Sequence, residues 1–387
     1  MPDRVYLDWN ATTPLRHEAR EAMTSAWDLV GNPSSVHAEG RQARRFVENA
    51  RQAVAGAIGA LPRNVIFTSG GTEANALALS PGLRAASGRA AERLLVSAIE
   101  HASVLAGGRF GRDSIGTVGV TRSGVIDLDR LAAAVQPGPP ALVSLMLANN
   151  ETGAVQPVAQ AAEIVHAAGG ILHVDAIQAF GKIPFNLKSL GVDLITLSAH
   201  KIGGPKGVGA VILADGVQGV APLLRGGGQE LGHRAGTENV AAIAGFGAAV
   251  EAISGDLDSN TNTCRLAALQ NRLENGLRQT PDVVIFADKV TRLPNTTLFT
   301  VPGLKAETAV IGFDLAGIAV SSGSACSSGK VQRSYVLDAM GFGAEFASGA
   351  VRLSMGWSTT DADIDRCLEA WRKLAGTLLN TEGRNTA

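Results

Sequence analysis

Between about residues 40 and 215 helical and strand patterns alternate, which limits the chain to few architectures. "RRFVENARQAVAGAIGAL" places Val47, Ala50, Val54, Ile58 and Leu61 at helical spacing, predicting a helix that runs to Leu61. "NVIFTS" follows as a short β-branched strand. Asp127 in "DLDRLAAAVQ" suits a helix N-cap, and "ALVSLMLA" beyond it suits a strand. "PVAQAAEIVHAAGG" begins at Pro157 and stops at Gly169–Gly170, the Pro-first, Gly-last order of a helix. "ILHVDA" and "VDLITLSAH" are apolar runs of the kind buried on both faces of a sheet. This alternation predicts an α/β fold with a mostly parallel sheet and helices on both sides. After about residue 255 the pattern changes. "DLDSNTNTC" reads as a polar connection; one long helix, short strands, a Ser/Gly loop and a closing helix then predict a second, smaller α+β domain.

A chain of 387 residues has room for both units. Its net charge of -1, with 18% charged residues, gives no electrostatic reason to expect nucleic acid or a membrane surface as partner. No apolar run approaches the roughly 20 residues of a bilayer span. Asp3, Asp8 and Asn10 stand where an export signal needs an apolar core. Cys264, Cys326 and Cys367 are far apart, with no metal-binding spacing, so a reduced cytoplasmic enzyme is expected. Cys264 and Cys367 fall in helical patterns and read as structural.

Open α/β sheets bind ligands at the carboxyl ends of their strands, and four polar clusters fall there. In "FTSGGTEANALAL" a strand runs through Gly70, Gly71 and Thr72 into a helix, which makes either a phosphate cradle or an ordinary turn. "LANNETG" sets Asn149 and Asn150 past a buried strand, where asparagines also serve simply as turn formers. In "HVDAIQ", Asp175 interrupts an apolar strand and needs a cationic or hydrogen-bonding partner, in a site or in a structural salt bridge; Gln178 follows. "LSAHKIGGPKG" ends a strand with Ser198, His200 and Lys201 among glycines, where a desolvated lysine becomes a usable amine nucleophile. Lys182 and Lys206 are rivals for that role. Together, a phosphate cradle, a buried carboxylate and a lysine are the parts that hold pyridoxal 5'-phosphate, with the lysine as Schiff base and the Asp on the pyridine nitrogen.

The residues resemble the cysteine desulfurases of the NifS/IscS type, within the class V, fold-type I pyridoxal-phosphate enzymes. The likeness runs nearly end to end, through "YLDWNATTP", "GNPSSVH", "SGGTE", "EHASVL", "NNETGAVQP", "HVDAIQAFGK", "SAHKIGGPKGVG", "AGTENV", "SSGSACSSG" and "VRLSMG". The resemblance implies a large domain over 13–255 built on a seven-stranded sheet, with 1–12 and 256–387 forming a small domain that carries the cysteine loop. It implies that Lys201 binds the cofactor covalently and moves protons, that Asp175 meets the pyridinium nitrogen and Gln178 the ring hydroxyl, and that His101 stacks on the ring. Gly71, Thr72, Ser198 and His200 would hold the phosphate, joined by Thr237 from the other subunit of a homodimer. Asn150 and Arg352 would bind the substrate carboxylate, for which a planar guanidinium fork is suited. Three positions depart from the family's usual residues: Leu231 stands where Arg is common, His233 where an apolar residue is usual, and Arg333 where Pro is frequent.

Cys326 sits among serines and glycines in "VSSGSACSSGK", either as an incidental surface thiol or as a tethered nucleophile. Under the resemblance it takes sulfur from L-cysteine, leaving L-alanine, and carries it as a persulfide to an iron–sulfur scaffold or other acceptor protein. A transient iron–sulfur contact of Cys326 through that persulfide is implied as well. Lys330 and Arg333, close in sequence, would favour the thiolate. The competing expectation is another class V enzyme, an aminotransferase or a selenocysteine/cysteine lyase, which would leave the Cys326 loop without a purpose.

Overall fold

A computed structural model of the chain describes residues 4–85, 88–136, 138–258, 260–323 and 333–379. Seven of the described strands form the main sheet. Their spatial order is Val65–Thr68, Gly209–Leu213, Leu194–Ser198, Ile171–Asp175, Ala141–Met146, Arg93–Ser97 and Ile115–Val118. Gly209–Leu213 runs against both neighbours, and every other adjacent pair is parallel. The sheet is therefore mostly parallel, as the alternating pattern predicts.

The continuous apolar runs have a direct cause, because both faces of the sheet are covered. Val65, Phe67, Val143, Leu145, Ile195 and Leu197 pack into a core with the helices Ala38–Ile58 and Val240–Asp258. Their neighbours Ile66, Leu142 and Leu194 point into a second core with Leu77 and Leu83. Period-two alternation thus feeds two apolar layers rather than one apolar and one wet layer. Each such side chain contributes roughly 1.5–3 kcal/mol by leaving water.

A second, antiparallel sheet has the order Ser321–Ser322, Val351–Ser354, Thr296–Thr300, Val284–Ile285. It packs on the helices Thr261–Leu277, Ala306–Leu315 and Asp361–Leu378, with Trp371 edge-on to Phe299 at 4.9 Å between ring centres. Val5 and Leu7 belong to this core, and Val5–Tyr6 pairs in parallel with Ile318–Ala319. The stretch that begins at Val5 is thereby fastened to the last third of the chain.

Three sequence expectations need correction. The helix expected to reach Leu61 stops at Ile58, because Gly59 takes φ 70° and caps it, leaving Leu61 39% exposed. The segment 256–264, expected as a polar connection, is mostly helical: the helix Val240–Asp258 ends and Thr261–Leu277 begins almost at once. Asn260, at φ 52°, turns the chain between them, a conformation asparagine tolerates better than most residues. Cys367 is buried as expected, its thiol pushed up to about 12 by burial, whereas Cys264, expected to be structural as well, is exposed on its helix. Among the described residues no single helix is long and apolar enough to cross a membrane.

Candidate active site

The parallel strands deliver their polar ends to one edge of the sheet, where a cavity of about 280 Å³ opens. Lys201 lines it from the tight turn Ala199–Lys201 that follows Leu194–Ser198. Asp175 lines it from the end of the adjacent strand, in register with Thr196. Of the three candidate lysines, Lys201 reaches this cavity, Lys206 is exposed, and Lys182 is half-buried to one side. Lys201 Nζ donates to the carbonyl oxygens of Asn10 and Ala11 at 2.5 and 2.8 Å.

Asp175 is 5% exposed and has no ion pair among the described residues. Burial pushes its carboxyl above the usual range, while a hydrogen bond from Asn75 pulls the other way. Asn75 Nδ2 donates to Asp175 Oδ2 at 2.8 Å and to Ser103 Oγ at 2.9 Å, and the Ile177 N–H reaches Asp175 Oδ1 at 3.0 Å. Ser103 in turn lies against His101 Nδ1, its Oγ at 2.8 Å and its backbone N–H at 3.2 Å. Nδ1 therefore accepts, which places the proton of neutral His101 on Nε2.

The chain of polar contacts continues into the sheet. Thr196 Oγ1 donates to Asn75 Oδ1 at 2.6 Å, so it accepts from His173 Nε2 at 3.1 Å, and Ser144 Oγ stands 2.8 Å from His173 Nδ1. Burial holds His173 down to about 3, so it is neutral and one tautomer satisfies every contact. A buried polar row that is fully paired fixes its members rather than destabilising the core.

At the strand-to-helix turn, Gly71 and Thr72 open the helix Gly71–Ala78 beside Ser198 and His200, and all four line the cavity. A Cβ at Gly71 would stand 2.4 Å from Ile177 Cδ1, so glycine lets the helix start lie against that side chain without displacing its tip. His200 is held down to about 4 by burial, aided by Lys201, Lys206 and Lys182, and is neutral beside this turn.

Gln178 lines the cavity with its amide already oriented: Nε2 donates to Asn10 O at 2.9 Å, and Oε1 accepts from Lys182 Nζ at 2.7 Å. Lys182 also donates to Asn10 Oδ1 at 2.9 Å, and burial pushes its amine well below the usual range, with Lys201 and Arg352 adding to the effect. Asn150 and Arg352 close the opposite side. Arg352 gives Nη2 to Asp8 at 2.8 Å and Nη1 to Asn150 O at 3.0 Å, so much of its fork is engaged by the protein. Its Nε and the Asn150 Oδ1 are buried without a hydrogen-bond partner.

One expected residue stands apart from this cavity. Thr237 lines a separate cavity of about 190 Å³ with Glu230 and Arg234, away from Lys201. Cys326, like Lys330, lies outside the described residues. Arg333, expected to favour a thiolate, pairs with Asp338, which offsets its charge. Leu231 is 70% exposed at φ 55°, and His233 lies 3.3 Å from the Val220 carbonyl. Sequence reasoning missed Asn10, Asn75 and the orienting contact of Lys182; Asn75 stands inside the quoted "SGGTEANALAL", but nothing in its spacing shows that it reaches Asp175.

A mostly parallel sheet with a lysine and a buried carboxylate at adjacent strand ends defines a recognisable class. The chain belongs to the Aminotransferase class-V family, which matches residues 5–367. Within it, the chain is 44% identical over 375 residues to a cysteine desulfurase of Cereibacter sphaeroides, covering 95% of this chain and 94% of the relative. It is 39% identical over 379 residues to the cysteine desulfurase IscS of Dictyoglomus turgidum, covering 97% and 95%. Among solved structures, a NifS-like protein from Rickettsia africae superposes with a TM-score of 0.87 at 38% identity, over 97% of this chain and 100% of that one.

Proposed function

We propose that this chain is a pyridoxal-phosphate-dependent cysteine desulfurase that converts L-cysteine to L-alanine and takes the sulfur onto Cys326 as a persulfide. The observation that carries the reading is the pairing of Lys201 with Asp175 in one cavity, where a buried carboxylate has no ion-pair partner among the described residues. The residues present fit the cofactor. A cationic pyridinium would offset the desolvation of Asp175, and Gly71, Thr72, Ser198 and His200 offer a phosphate the start of a helix, two hydroxyls and a neutral imidazole. Asn150 and Arg352, which line the cavity, would bind the substrate carboxylate. When bound, the cofactor withdraws electrons from the substrate α-carbon.

The chain's own residues would do the rest. Lys201 Nζ would hold the cofactor and carry the proton removed from the α-carbon. His101, its Nδ1 engaged by Ser103, would present Nε2 to the ring and assist that proton. Gln178 would meet the ring hydroxyl, its amide set by Lys182 and Asn10. Thr237 would complete the phosphate site across a homodimer. The Cys326 thiolate would attack the substrate sulfur, so that an S–S bond forms as the C–S bond breaks and its electron pair stays with the carbon skeleton. Protonation of that carbon gives alanine, and the persulfide sulfur would pass to an iron–sulfur scaffold or another acceptor protein in a reducing cytoplasm.

Incubation with L-cysteine, amino-acid analysis and peptide mass spectrometry test this reading. Alanine with a persulfide at Cys326 supports it; a keto acid in place of alanine would assign the chain to the aminotransferases instead.

A further inference from the structure

The described residues on either side of the Cys326 segment converge on a single side chain. Glu151 is 2% exposed and directly follows Asn150 in the turn after Ala141–Met146. Ser334 Oγ donates to Glu151 Oε2 at 2.5 Å. From the other flank, a Cβ built on Gly323 would stand 3.3 Å from the same oxygen. Ser334 N–H also reaches Ala347 O at 3.1 Å, and Gly323 N–H reaches Ala350 O at 2.9 Å, just before the strand Val351–Ser354. On that strand Arg352 stands in register with Ser321.

The turn itself is fixed from within, because Asn149 Oδ1 accepts the backbone N–H groups of Glu151 and Thr152 at 3.0 and 2.9 Å. Consecutive residues of one rigid turn therefore serve two places. Asn150 lines the cavity and accepts from Arg352, while Glu151 holds the root of the Cys326 segment.

We propose that Glu151 is a positioning residue for sulfur transfer: through Ser334 it sets where the segment bearing Cys326 leaves the protein body, relative to the Asn150–Arg352 side of the cavity. This rests on the desulfurase reading above. The physical ground is the steepness of nucleophile placement, since a displacement of about 1 Å costs on the order of 10²-fold in rate.

Glu151→Gln, Ser334→Ala and Ser334→Thr holoenzymes test it. Three quantities are read: the cysteine concentration that half-saturates the cofactor's spectral change, the rate of persulfide formation at Cys326 by rapid quench and mass spectrometry, and hydrogen exchange of the resting protein over residues 333–337. The first two variants should keep cofactor content and half-saturation within about twofold of the parent, yet form persulfide about tenfold more slowly and exchange faster. Ser334→Thr keeps the hydroxyl and should restore the parent rate. Persulfide rates within about twofold of the parent in both Glu151→Gln and Ser334→Ala would overturn the inference and leave the desulfurase reading standing. So would a parallel loss of cofactor binding, which marks a structural role only. A parent enzyme that forms no persulfide at Cys326 would sink both.

Discussion

Asn75 holds Asp175 in place, its Nδ2 donating to Oδ2 at 2.8 Å while the same nitrogen reaches Ser103, the residue that engages His101. The carboxylate expected at the ring nitrogen and the imidazole expected to stack on that ring thus share a mount. Neither is oriented by its own strand or turn alone.

Asn75→Ala should therefore act on both. Removing the amide leaves a buried carboxylate short of a donor, at a cost of about 1–3 kcal/mol, and frees Ser103. We expect a lower unfolding midpoint together with a slower turnover, measured by denaturant titration and alanine release. An unchanged turnover would show that the shared mount has no bearing on chemistry.

Lys201→Ala should abolish the absorbance of lysine-linked cofactor and slow turnover by about 10²–10⁴-fold or more. Borohydride reduction of the parent enzyme followed by peptide mapping checks the assignment. The label should fall on Lys201; label on Lys182 or Lys206 would move the role there.

Cys326→Ser should keep its bound cofactor and its spectral response to cysteine, yet release no sulfide under reducing conditions. Sulfide assay beside the absorbance spectrum separates the two. Full sulfide release would remove the relay from the mechanism.

His173 gives a pH signature. Its folded pKa, about 3, lies below the ordinary value near 6.5, so in that window the unfolded chain binds a proton that the folded chain does not. Stability from this residue is complete above the unfolded value and is lost as pH falls toward 3. His173→Gln lacks the titration, so its stability relative to the parent should improve between about pH 7 and about pH 4, read from paired denaturation curves. A constant difference would contradict the assignment.

Arg51 and Glu230 form a paired fork, Nη1 to Oε2 and Nη2 to Oε1 both at 2.8 Å, with the Phe67 N–H also on Oε2. Both are nearly buried. Arg51→Met should cost about 3–5 kcal/mol because it strands the carboxylate, and adding Glu230→Gln should recover part of that. Urea titration of the three proteins measures it.

Much of this was legible beforehand because the informative residues interrupt strong patterns. Asp175 breaks an apolar strand and Lys201 stands just past the end of another, so period and polarity point to them, with Lys182 and Lys206 left as rivals for the lysine. Asn10, Asn75 and Glu151 give no such signal, since each acts on residues distant in sequence: Asn75 on Asp175, Glu151 on Ser334, Asn10 on Lys201. Periodicity reports which way a side chain faces, not which remote segment arrives there. The same limit explains 256–264, where a run of polar residues suggested a loop but Asp256 belongs to one helix and Thr261, Asn262 and Thr263 to the next.

The strand Val5–Tyr6 waits for Ile318–Ala319, and Asn10 N–H waits for Ser354 Oγ, 2.9 Å away in the finished molecule. The carbonyls that receive Lys201 belong to Asn10 and Ala11 on that same stretch. Every strand of the large sheet precedes those partners in sequence, and closing so wide a loop is slow. The Lys201 amine is accordingly among the last groups of the cavity to acquire its surroundings, since the carbonyls that hold it are fixed only when the last third of the chain has met the stretch that begins at Val5.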